Sequence, residues 1–278
     1  MINREDIHNK IRTDFVSDCS KCFGLCCSAL FFAKEDGFPH NKIAGVHCTN
    51  LVKDYSCKVH EDLVRLGYRG CIAYDCLGAG QKTANVIFHG IGWNERSEDK
   101  EDIFAVFLVV RQLHEWMWYL MEAREFSNID NIHLQIEEVL EELWQTTKGS
   151  PKDLLELDLD CYWKRINEIL IKASCLKRGD KSTETKLPFK FQKIFGERAD
   201  LSGKDLRKYS LAGTNLRGAC LIAADLRGMD LARTDFIGAD FRDTDLRGAD
   251  LSKSLFVTKA QINVAKCNEY TKLPKYFL

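Results

Sequence analysis

Between Ala199 and Thr258, leucine or phenylalanine recurs at every fifth position, from Leu201 to Phe256, without a slip. Aspartate stands immediately before eight of these twelve positions. A small or modest side chain comes two residues before most of them, with Lys204, Tyr209 and Met229 as exceptions. Five residues turn an α-helix through about 500°, which would spread the apolar positions around its axis. Five is also odd, so successive leucines on a flat strand would alternate between faces. A chain that turns a corner every five residues puts all of them inside. The period predicts a square solenoid filled by leucine and phenylalanine, with Gly203, Gly213, Gly218, Gly228, Gly238 and Gly248 at corners.

Upstream the apolar spacing becomes helical. Ser97-Glu98-Asp99-Lys100-Glu101 reads as a capped acidic start, and Ile103 to Val110 continues into Leu113, Trp116, Met117 and Leu120. A second helix is expected near Ile129–Thr147, on the spacing of Ile132, Ile136, Val139, Leu140 and Leu143. Gly149-Ser150-Pro151 breaks it, and a third helix is expected over about Lys152–Lys177. His114-Glu115 lacks the second histidine of a His-Glu-x-x-His zinc motif, since Trp118 stands in its place. Arg178 to Lys186 is polar and reads as linker. The expected organisation is a Cys-rich metal-binding domain (1–97), a helical domain (98–178), a linker (179–198), the repeats (199–258) and a C-terminal cap (259–278).

The chemistry concentrates in the first 80 residues, which hold eight of the twelve cysteines: Cys19, Cys22, Cys26, Cys27, Cys48, Cys57, Cys71 and Cys76. The first four read Cys-x2-Cys-x3-Cys-Cys, a spacing from which thiolates can converge on one soft metal. Redox-active thiols or a disulfide framework would use the same residues. The start Met1-Ile2-Asn3-Arg4-Glu5-Asp6 has no apolar stretch marking it for secretion, and clustered cysteines in a reducing compartment favour metal. His47 and His60, beside Cys48 and Cys57, are candidate nitrogen ligands or tuning residues. Gly78-Ala79-Gly80 has no Gly-Lys-Ser/Thr sequel, so it reads as turns near the metal centre rather than a phosphate loop.

Two resemblances follow from these motifs. Ala224-Asp225-Leu226-Arg227-Gly228 and Ala249-Asp250-Leu251 resemble the pentapeptide-repeat family. That resemblance implies a right-handed quadrilateral β-helix with four pentapeptides per coil, hence about three coils rising about 15 Å. Cys19–Cys27, followed by Cys48-Thr49-Asn50-Leu51, Cys57-Lys58-Val59-His60 and the closing Cys71 and Cys76, resembles the cysteine-rich zinc- or iron-chelating family. Thr49 departs from that family's proline, and Val59 from its isoleucine. The resemblance implies that the eight cysteines are metal ligands, for zinc or iron, with an iron–sulfur cluster or copper also open. The whole combination resembles a recurring bacterial arrangement that carries no assigned activity. The fold class expected is thus α+β and multidomain.

Charge narrows the function classes. The chain has 278 residues, with 40 Lys and Arg against 41 Asp and Glu. That balance gives no basic footprint for nucleic acid. The repeats carry nine Asp against nine Lys or Arg, which does not suit an acidic mimic of DNA. Arg207, Arg227 and Arg247 fall twenty residues apart, with Asp205, Asp225 and Asp245 in a parallel column. They read as a self-compensated solvated face, or as an arginine ladder for a carboxylate-rich partner. No membrane segment or lipidation signal is evident, and a cytoplasmic protein is expected. Two functions remain open. One is a metal-binding protein that uses the β-helix as scaffold or docking surface for a protein or peptide partner. The other is a redox enzyme, dependent on iron or copper, that modifies a peptide or small molecule at the Cys-rich centre. Whether the chain is an enzyme stays undecided at this level.

Overall fold

The computed structural model describes residues 14–95, 99–126, 130–179 and 196–277. The Ser97-Glu98 cap, Ile129 and residues 180–195 of the expected linker lie outside them. The chain divides into two compact units, one of residues 1–121 and 134–167, the other of 122–133 and 168–278.

In the first unit the cysteine-rich segment is built from short pieces. They include the helical turns Leu25–Ala29, Leu63–Leu66, Arg69–Ala73 and Ala79–Gln81, and a π-helical turn over Lys82–Ile87. Two isolated antiparallel bridges, Phe32 with Lys42 and Leu51 with Cys57, tie the loops. Trp93 fastens the end of the segment to its start, its indole N–H donating to the Phe23 carbonyl at 2.8 Å. The helix Lys100–Phe126 follows, and Ile103, Val106, Phe107, Val110, Leu113, Met117 and Leu120 are buried, as their spacing predicts. Ile136, Val139, Leu140 and Leu143 form the buried stripe of Asp130–Thr146. The Trp116 ring stacks on Trp163 at 5.7 Å, which is core packing.

The expected third helix is two helices. Ser150 caps Pro151–Leu155 in a capping box with Asp153, and the chain breaks before a longer helix over Leu159–Arg178. The break has a local cause: the Asp158 carboxylate accepts the Cys161 N–H at 2.9 Å and so starts the new helix. No helix among the described residues is long and apolar enough to cross a membrane.

The repeats lie in the second unit. Parallel bridges join residues twenty apart in four columns: Asp200, Cys220 and Asp240; Asp205, Asp225 and Asp245; Asn215, Asp235 and Leu255; and Asp230 with Asp250. Four pentapeptides therefore complete each coil. Leu201, Leu216, Leu231, Phe236, Leu246 and Phe256 are fully buried, and the other positions of the five-residue series are within one percent of it. The sides are single bridges rather than strands, because two turn residues in every five leave each side too short for a ladder. The aspartates explain their own recurrence. Asp205, Asp225, Asp245 and their equivalents accept the backbone N–H two residues on, closing an Asx turn at each corner. Thr234, Thr244 and Ser254, two residues before an inward leucine or phenylalanine, donate to carbonyls of the preceding coil at 2.7–2.8 Å. After the helix Lys259–Val264 the chain keeps stacking, with Lys266 paired to Asp245 and Lys272 to Asp250.

Two charged clusters interrupt this regularity. Arg217 and Asp235, 3.1 Å apart, are buried together, and the Ser174 hydroxyl donates to Asp235 at 2.5 Å. Glu122 is buried as well, accepting the Phe256 N–H at 2.7 Å and the Tyr276 hydroxyl at 3.1 Å. Burial pushes its carboxyl up to about 8 against those two hydrogen bonds.

Candidate metal centre

The eight cysteines of the first 80 residues are all free thiols in this structure. Cys19 is exposed, Cys22 is buried, and the other six are partly buried. Cys22 and Cys76 are brought together by a glycine. A Cβ on Gly80 would stand 2.8 Å from the Cys22 Cβ, with the sulfurs of Cys22 and Cys76 at 3.6 and 3.7 Å. Only glycine lets the Ala79–Gln81 turn come this close. Gly78 is required on the same turn, because its φ is +74° and a Cβ would meet the Asp14 carbonyl oxygen at 1.7 Å.

The mutual influence of the thiols shows who neighbours whom. The Cys22 thiol donates to the Cys19 carbonyl at 3.5 Å, Cys19 feels Cys22 and His60, and Cys26 is acted on by Cys27, Cys22 and Cys76. Cys71 feels Cys27, Cys48 and Cys57, and Cys57 feels Cys27, Cys48 and Cys19. These influences run across the whole set, since Cys27 and Cys57 also feel Cys19. Cys26 Sγ lies 4.0 Å from Cys27 Sγ, the one thiol–thiol contact of hydrogen-bond length among the described residues. Cys22, reinforced by His60, lowers Cys19 to about 6, and Cys26 lowers Cys27 below the usual thiol range. Cys71 is pushed up to about 12, first by burial.

Cysteine sulfurs around one tetrahedral zinc lie about 3.8 Å apart, from a Zn–S distance of about 2.3 Å. Among the described residues no group of three or more His, Cys, Asp or Glu side chains is arranged to hold a metal ion. Cys26 and Cys27 are in contact and Cys22 and Cys76 are close over Gly80, but no closed tetrahedron of thiols is formed among the described residues. The donor type is soft sulfur, the kind that zinc and iron take.

Two residues that the motifs did not mark stand beside these cysteines. Lys42 is buried, held by the bridge to Phe32, and its ammonium donates to the carbonyls of Ser28, at 2.7 Å, and Leu30. Desolvation lowers its pKa, while the charges of Cys27, Cys48, Cys26 and Cys71 support the cation. A cavity of about 220 Å³ beside it is lined by Ile43, Val46, His47, Cys48 and Tyr68. Tyr74 lies between Cys71 and Cys76 in the sequence, and its buried hydroxyl has no hydrogen-bond partner among the described residues. Nothing in the sequence marks Lys42, whereas Tyr74 could have been suspected from its place between two candidate ligands. His114 is buried, its Nδ1 lies 2.6 Å from the Leu77 carbonyl, and burial lowers its pKa to about 4.

The repeat face is chemically closed. Arg207, Arg227 and Arg247 each hold their own aspartate through Nε and Nη2 at 2.6–2.9 Å. Arg207 also reaches the next coil, 3.2 Å from Asp225, and Arg227 lies 3.6 Å from Asp245. The column is a self-compensated zipper, not a row of free guanidinium groups.

Comparison with known proteins agrees with the repeat geometry. The family described as pentapeptide repeats matches residues 197–228 and 219–256, with eight copies. Over 268 residues the chain is 45% identical to the "Uncharacterized protein YybG" of Bacillus subtilis (strain 168), spanning 96% of this chain and 94% of that one. The chain is a pentapeptide-repeat protein and belongs to one family with that Bacillus subtilis relative. Among solved structures, the pentapeptide repeat protein Rfr23 from the cyanobacterium Cyanothece 51142 covers 28% of this chain and 48% of its own. Its sequence identity is 26% and the TM-score 0.20.

Proposed function

We propose that this protein binds zinc or iron through its cysteine-rich region and uses its pentapeptide coils, a right-handed β-helix, as scaffold or docking surface for a protein or peptide partner in the cytoplasm. The observation that carries the reading is the gathering of free thiols in one segment, with Cys22 and Cys76 drawn together over Gly80 and Cys26 Sγ 4.0 Å from Cys27 Sγ. Eight thiolates would supply two ions, and four thiolates per ion make a closed, structural site. A segment of short turns with two single bridges has few other means of fixing its loops, so metal binding and folding are coupled there.

The test is metal analysis of full-length protein purified without oxygen. The expected result is bound zinc or iron approaching two equivalents, with Cys22→Ser and Cys71→Ser each losing about half. Cys22→Ser should also abolish cooperative unfolding of the cysteine-rich segment. Protein free of metal, or variants with unchanged metal content, would reject the reading.

A further inference from the structure

Lys42 is a buried cation without an anion. Its backbone is fixed by the bridge to Phe32, with N–H to carbonyl distances of 2.9 and 3.0 Å in the two directions. The residue is only 6% exposed, and its ammonium donates to the carbonyls of Ser28, at 2.7 Å, and Leu30. Among the described residues it has no other hydrogen bond and no ion pair. An ammonium carries three N–H donors, so one is still unanswered. Burying a charge is costly unless it is paired.

The cavity of about 220 Å³ that Lys42 lines is equipped for an anion. Two more donors line it. Asn41 Oδ1 accepts the Lys34 N–H at 2.9 Å, which leaves the amide NH2 group to donate. The Tyr68 hydroxyl accepts from Asn50 Nδ2 at 3.0 Å, which leaves its own hydrogen to donate. No aspartate or glutamate is in the lining. Apolar surface accompanies the donors. The buried Phe38 ring, stacked on Phe32 at 4.8 Å and edge-on to Tyr68 at 5.1 Å, is part of the wall. Ile43 and Val46, each more than half exposed, complete it.

We propose that this cavity binds a small carboxylate with an apolar body, its charge answered by the Lys42 ammonium and its hydrocarbon part laid against Phe38, Ile43 and Val46. Sites for drug-sized ligands enclose about 300–1,000 Å³, so the smaller volume here selects a short-chain acid. The bridge and the packed rings hold the walls before a ligand arrives, which limits the ordering that binding costs. An inorganic oxyanion uses the donors but leaves the apolar wall uncovered. A neutral analogue covers the wall but leaves the cation unanswered. The proposal goes beyond the metal-binding reading and does not depend on it.

Amide-detected NMR titration of the full-length protein tests this, with isovalerate, isovaleramide and inorganic phosphate as probes. Isovalerate is expected to give saturable shifts concentrated at residues 38–50 and at Tyr68. Isovaleramide and phosphate are each expected to bind roughly tenfold more weakly or worse, because each lacks one half of the match. Lys42→Met should bring isovalerate down to the level of isovaleramide. Absence of saturable isovalerate shifts overturns the site, and so does undiminished isovalerate binding by Lys42→Met. Isovaleramide that binds as well as isovalerate overturns the role of the ammonium, and phosphate that does so overturns the apolar half. Should Lys42→Met fail to fold, the wild-type contrast between isovalerate and isovaleramide carries the same decision.

Discussion

The pentapeptide coils and the cysteine-rich segment satisfy their polar groups in opposite ways. In the coils each recurring aspartate has a backbone N–H to accept, the inward leucines are buried, and Thr234, Thr244 and Ser254 bond back one coil. A period does this work, because solving one coil solves the next. The cysteine-rich segment has no period, and among the described residues buried hydroxyls of Ser28, Tyr74 and Thr83 stand without partners, against that of Thr214 alone in the coils. The coils answer most of their polar groups by repetition, whereas the segment has no repeated neighbour to do so. The difference teaches that stability in the two regions should answer to different substitutions.

The largest effect is expected where the coils depart from self-sufficiency. Arg217 and Arg227 occupy the same place in their pentapeptides, but only Arg217 is buried, with its partner Asp235 fully enclosed. Arg217→Ala strands a buried carboxylate and should cost about 3–5 kcal/mol. Urea unfolding of the full chain, followed by circular dichroism, measures it. A loss below about 1 kcal/mol would mean that Ser174 and water satisfy Asp235 unaided, and the coils would then be more self-contained than the burial indicates.

That pair also marks the limit of what the sequence shows. The five-residue period foretells the coil: the twelve apolar positions are the interior, and Lys204 and Tyr209, odd in the pattern, are the less buried members of the second inward position. The letters Leu-Arg-Gly, however, are identical at 216–218 and 226–228. Burial of one arginine depends on Ser174, from a distant helix, which no local pattern records. The cysteines behave similarly. Their number and order mark the segment, but which sulfurs meet is set by tertiary approach, as where Cys22 and Cys76 come together over Gly80. Lys42 is buried beside the cysteines only because the bridge to Phe32 folds it back.

An intermediate effect is expected at Glu122, and it varies with pH. Its folded-state pKa of about 8 lies above the ordinary 4.5, so between these values the folded protein keeps a proton that the unfolded chain releases. The contribution to stability is therefore full below pH about 4.5 and is lost as pH rises towards about 8. Asp235 adds to the upward shift, and the Phe256 N–H and Tyr276 hydroxyl oppose it. Glu122→Gln should flatten this decline, on the order of 4 kcal/mol across the window. Unfolding midpoints taken at pH 5 and pH 8 decide the matter. Parallel slopes for wild type and variant would show that the group titrates alike in both states.

The smallest effect is expected at the zipper, and its smallness is informative. Arg227 is 41% exposed while it holds Asp225 and approaches Asp245. Exposed ion pairs gain little over hydration, and salt screens what they gain. The corner itself is closed by the Asp225 carboxylate accepting the backbone N–H of residue 227, a bond that alanine retains. Arg227→Ala should therefore leave the unfolding midpoint unchanged within error at moderate salt, with any shift confined to low ionic strength. A substantial loss that persists in high salt would show that the arginine column braces the coils through packing of its methylene stems. The contrast with Arg217 would then lie in degree of burial rather than in the kind of interaction.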